Sequence, residues 1–134
     1  MAWTHRRILY RAGQNRFILH YSGQADVSDL DDYVLFDISA DAPGFTKTQV
    51  MQLQGQAGGL YAVLEWDATT DAFICAFPDG PLVKYPPPFD REDLVAGDMI
   101  IDPIPTGTTG DILLTTFGGA VGGGVNIDAI IVTL

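Results

Sequence analysis

The stretch Leu60-Tyr61-Ala62-Val63-Leu64-Glu65-Trp66 decides the fold class. Leu60, Ala62, Leu64 and Trp66 fall on every second residue, with Glu65 on the other side, which is the pattern of a strand that buries one face. The polar link Asp67-Ala68-Thr69-Thr70-Asp71 leads straight to Ala72-Phe73-Ile74-Cys75-Ala76-Phe77, its expected antiparallel partner. Working outward, residues 7–11 and 16–21 flank Ala12-Gly13-Gln14-Asn15 and predict a hairpin. In it Ile8 and Tyr10 share one face, as do Phe17, Leu19 and Tyr21, and the arginines mostly fall on the other. Residues 26–32 suggest one helical turn with Ser28 as its cap. Further strands are expected at 33–38, 47–54, 82–85, 99–101, 111–117 and 125–134, with a turn at 55–59 and a glycine-rich link at 118–124. Three prolines in a row, Pro86, Pro87 and Pro88, lack amide donors and place that segment in a loop or at a sheet edge.

Eight to ten short strands in one domain over residues 1–134 predict an all-β sandwich or jelly roll. The predicted core is Leu60, Ala62, Leu64, Trp66, Phe73, Cys75, Ile112, Leu114, Ile127, Ala129 and Ile131. With 47% apolar and 18% charged residues in 134, the chain has material for a packed core and is not expected to be disordered. A single cysteine, Cys75, precludes an internal disulfide, and in its apolar run it reads as a small buried hydrophobe. No signal-like apolar region follows Arg6 and Arg7, and no run is long enough for a membrane helix, so a soluble, leaderless protein is expected.

Charge is divided along the chain. Residues 1–22 hold Arg6, Arg7, Arg11 and Arg16 and no acid, while the remaining residues hold Lys47, Lys84 and Arg91 against all 17 acids, for a net charge of −10. Such a balance argues against nucleic-acid binding by the domain as a whole. Two readings of the basic segment stay open: a hairpin lying over its own acidic body, or a charged edge that meets an acidic neighbour.

Catalytic chemistry is hard to find. His5 and His20 read as a leading-segment and a surface histidine, and Ser22, Ser28 and Ser39 lack a nucleophile-elbow setting. The aspartates at 26, 29, 31 and 32, and the pair Asp67 and Asp71, offer hard-cation ligands but lack an EF-hand pattern, so solvated turn carboxylates are expected. The glycines of 118–124 join two strands rather than open a helix, so they form no phosphate cradle. No catalytic residue, metal or cofactor is expected.

Three phrases carry a resemblance. Leu64-Glu65-Trp66-Asp67-Ala68-Thr69-Thr70-Asp71 after Gly58-Gly59-Leu60 resembles a segment of small virion structural proteins of tailed bacteriophages. So does Thr109-Gly110-Asp111-Ile112-Leu113-Leu114-Thr115-Thr116 before its glycine-rich link and last apolar strand. Gln14-Asn15 ahead of residues 17–22, followed by Asp26-Val27-Ser28-Asp29, is similar to their N-terminal region. The resemblance implies a jelly-roll capsid decoration (cement) protein, made in the host bacterial cytoplasm and bound to the head exterior. Its partners would be the major capsid protein and copies of itself, as a homotrimer. It names no contact residues. From the residues themselves, candidate contacts are Arg6, Arg7, Arg11 and Arg16 and the rigid loop Pro86, Pro87, Pro88 and Phe89, with Phe89 as anchor. Other readings are a neck, tail or fibre component, and a carbohydrate-binding module in which Trp3, Trp66 and tyrosines stack on sugars, although Trp66 shares the apolar face of its strand.

Overall fold

A computed structural model describes residues 3–26, 28–85, 100–101, 107–118 and 122–134. The chain is an all-β two-sheet sandwich. Its described strands are β1 (Thr4–Arg11), β2 (Arg16–Gln24), β3 (Tyr33–Phe36), β4 (Thr48–Gly58), β5 (Tyr61–Trp66), β6 (Ala72–Phe77), β7 (Val83–Tyr85), β8 (Ile100–Ile101), β9 (Ile112–Phe117) and β10 (Gly124–Thr133). One sheet runs β1-β2-β10-β4-β7, with β8 pairing a second stretch of β4; the other runs β3-β9-β5-β6. All these pairings are antiparallel. The chain alternates between sheets from β2 through β5, and the last strand slots between β2 and β4. This is the interleaved strand order of a jelly roll, with β1 added at the edge.

The core lies between the sheets. Phe17 and Phe36 approach across it at 5.9 Å between ring centroids, and Leu64, Trp66, Phe77, Leu114, Ile127 and Ile131 are all buried. Cys75 is buried too, and burial pushes its thiol up to about 12, so it packs as a hydrophobe. One predicted core member is wrong. Phe73 is 65% exposed, because a β-bulge leaves Ile74 unpaired between Leu64↔Cys75 and Glu65↔Phe73 and reverses the alternation. A second bulge, at Met51, lets Val50 and Leu53 both point inward although they are three residues apart.

Three local expectations also change. No helical turn forms at residues 28–32; Asp26 instead accepts from the Ser28 amide at 2.7 Å and the Ser28 hydroxyl at 2.6 Å. The described helix is α1 (Ile38–Asp41), where Asp37 caps the amides of Ser39 and Ala40 and cuts short the strand expected through Ile38. The turn expected at 55–59 is strand up to Gly58. Gly55 is there for space rather than for bending: a Cβ at this position would lie 2.7 Å from the Phe77 ring.

Candidate functional site

The arginines do not share one face. Register pairs Arg7 with Tyr21 and Arg11 with Phe17, so both lie on the core-side face of the hairpin, next to Leu9. Arg7 donates from Nε to the Leu35 carbonyl at 2.8 Å and forms an ion pair with Asp41, tying β1 to the end of α1. The Arg11 guanidinium sits 5.6 Å from the Phe17 ring centroid. Half of the basic segment therefore lies over its own body. Arg6 and Arg16 are exposed, fall on the outer face by alternation, and form no ion pair among the described residues. Arg7→Gln is expected to cost about 1–2 kcal/mol, since a charged hydrogen bond and a half-screened pair are lost together. Arg6→Gln should stay within about 0.5 kcal/mol, as surface changes do. Paired thermal melts at low and high salt check both. The other candidate contact, Pro86, Pro87, Pro88 and Phe89, lies outside the described residues.

The outer face of the six-stranded sheet is ordered in rows across the strands. Tyr10, Ile18, Ile130 and Gln52 form a mainly apolar row, and Ile8, His20, Asp128, Gln54 and Lys84 a mainly polar one beside it. Arg6, Ser22, Asn126 and Gln56 make the third. Within the middle row His20 Nδ1 bonds Asp128, which also accepts from Gln54 at 3.2 Å, and Tyr10 meets the His20 ring edge-on. Open depressions of about 200 and 400 Å³ follow these rows. His20 is thus a surface histidine, as expected. His5 is not a loose leading residue: its ring stacks on Tyr33 at 4.2 Å, and its Nδ1 bonds the Tyr21 hydroxyl at 2.7 Å.

The outer face of the four-stranded sheet differs in kind. Val34, Leu113, Glu65 and Phe73 form one row; Thr115, Val63 and Ala76 the next; Phe117 and Tyr61, in ring contact at 6.1 Å, the last. Among these apolar side chains lie Asp32, Glu65 and Asp71, with carboxylate oxygens within 4.8 Å of one another. The two aspartate groups seen in the sequence do not assemble as groups. Asp29 accepts from Thr116 and Gly118, and Asp67 accepts from the Thr109 hydroxyl at 2.9 Å. Each group contributes one member to the triad, and Glu65 completes it. Sequence reasoning passed over Glu65, whose only signal was being the one acid on the outer side of β5.

Partial burial raises the Glu65 carboxyl above its ordinary value, and the charges of Asp71 and Asp32 raise it further; Asp32 is raised in the same way. A raised carboxylate binds more protons folded than unfolded. Its contribution is therefore favourable below the ordinary carboxylate value and is lost as pH rises through the folded one. Glu65→Gln should raise the melting temperature at pH 7 by about 2 °C, the size of one relieved like-charge contact in a domain of this length. The gain should shrink towards zero near pH 4, and a melt series across that range tests it.

No family model and no curated protein matches the chain. Among solved structures it is similar to a carbohydrate binding module of family 29, at 8% identity and TM-score 0.39, over 98% of this chain and 77% of that one. A mutant module of that family complexed with mannohexaose gives 8% identity and TM-score 0.38, over 98% and 79%. This likeness is one of β-sandwich architecture alone.

Proposed function

We propose that this chain is a structural protein of a tailed-bacteriophage virion, a decoration subunit on the head exterior that works by packing against the major capsid protein and copies of itself. The observation that carries the reading is where the three resembling phrases meet. The Asp67 amide donates to Asp111 O and the Thr109 amide to Asp67 O, both at 3.1 Å, which ties the second phrase to the first. The N-terminal phrase reaches the same strand: the Thr116 hydroxyl bonds Asp29, and backbone and side chain of Thr116 hold Leu30. Segments far apart in sequence thus converge on β9, which supports reading them as parts of one structural unit. Both outer sheet faces carry exposed apolar side chains, Tyr10 on one and Val34, Tyr61, Phe73 and Phe117 on the other, which suits a subunit contact.

A sugar-stacking role for the tryptophans loses its support, because Trp66 is 2% exposed and Trp3 7%, with the Trp3 indole N–H donating to Ser28 O. The test is cryo-electron microscopy of particles carrying the protein, together with rebinding of purified chain to stripped heads. Copies arrayed over the head lattice are the expected result. Copies confined to the neck or tail, or no rebinding to heads, would overturn the decoration reading.

A further inference from the structure

Four of the seven large apolar side chains exposed among the described residues, Val34, Tyr61, Phe73 and Phe117, share the outer face of the four-stranded sheet. A concentration of this kind on one face marks an interaction surface. The bulge at Ile74 sharpens the point, since without it the alternation would turn Phe73 into the core. Amid these side chains the Asp32–Glu65–Asp71 triad presents a concentrated negative charge with no cation paired to it among the described residues. An apolar and basic partner complements this face.

The chain carries such a surface on the opposite side of the sandwich. The outer side of the β1–β2 hairpin shows Tyr10, Ile8 and Ile18 between Arg6 and Arg16, and no acid lies in residues 1–22. We infer that the acidic, apolar face of the four-stranded sheet docks the β1–β2 hairpin of a second copy of this chain. The inference rests on the reading that copies of the chain are its partners, and it adds which surfaces meet. The two surfaces lie on opposite sides of one molecule, so the contact is head-to-tail and can repeat from copy to copy, as a ring where its rotation closes and as a filament where it does not. Four strands spaced ~4.8 Å, with six residues of ~3.4 Å each, span roughly 20 Å by 20 Å. That is smaller than the ~800 Å² per partner of a standard interface, so a single contact is weak and ring closure reinforces it.

Complementation of two broken surfaces tests this. Phe73→Glu spoils the sheet face and Arg6→Glu with Arg16→Glu spoils the hairpin; all three positions are exposed, and unchanged melting curves verify folding. Tyr61→Glu is the second variant for the sheet face. In sedimentation velocity at about 100 µM, wild type should exceed the monomer and shift towards it as salt rises from roughly 0.15 to 1 M. Each variant alone should be monomeric, and an equimolar mixture should form a dimer and stop there, because each dimer uses the one intact face of each variant. A monomeric wild type, variants that associate like wild type, or a mixture that stays monomeric would overturn the contact. Rebinding to heads is scored separately. A monomer that still decorates heads overturns this contact and leaves the proposed function, whereas association without decoration supports the contact and overturns that function.

Discussion

Leu64→Ala should lower the stability of the fold by about 2–5 kcal/mol, the range for removing a buried leucine and leaving its cavity behind. Leu64 is 2% exposed and sits mid-strand on β5, paired with Leu114 on one side and Cys75 on the other. Both neighbours are held by their own ladders, so the site has little freedom to collapse, and the cost should fall in the upper half of that range. For a domain of this length the melting temperature should drop by roughly 8–20 °C. Chemical denaturation provides the second reading, with a lower midpoint and an unchanged slope. A variant that melts with the wild type would remove Leu64 from the core.

Gly110→Val should be comparably severe, at about 2–5 kcal/mol, from two costs that add. Gly110 has φ +90°, a conformation that costs an L residue roughly 1–2 kcal/mol. A Cβ there would also stand 2.9 Å from Ile38 Cδ1 and 3.3 Å from Thr48 Oγ1, and forcing atoms into a packed interior costs about 1–3 kcal/mol more. The position is further constrained because Gly110 O accepts from the buried Thr48 hydroxyl at 2.6 Å. Gly118→Val makes the control: its φ is +70° with nothing within 4 Å of an added Cβ, so it should pay only the backbone part. Equal melting temperatures for the two variants would show that packing around Gly110 gives way freely.

The electrostatics of the two sheet faces illustrate how far linear charge counting reaches. The split between a basic leading segment and an acidic body is visible in the residues, but its use is not. Arg7 and Arg11 turn towards their own body because β1 pairs with β2 in a register that puts them opposite Tyr21 and Phe17. Arg6 and Arg16 are left facing solvent by the same register, so only two of the four cations remain for a neighbour. The acidic triad likewise depends on three segments, before β3, within β5 and before β6, meeting at one corner.

By itself the sequence determined the all-β class, the existence and near-extent of most strands, the β5–β6 and β1–β2 hairpins, and ten of the eleven named core residues. It could do so because period-2 alternation and turn chemistry are local: Leu60, Ala62, Leu64 and Trp66 record their shared face without reference to any partner. Tertiary structure alone decided the interleaved strand order, the exposure of Phe73, the inward pair Val50 and Leu53, and the strand through Gly55. The strand order rests on which whole strands pair, and the other three each turn on one unpaired residue or one space-filling ring in a neighbouring strand. A single extra residue reverses the parity of everything beyond it, and where that residue goes is settled by how the facing side chains pack.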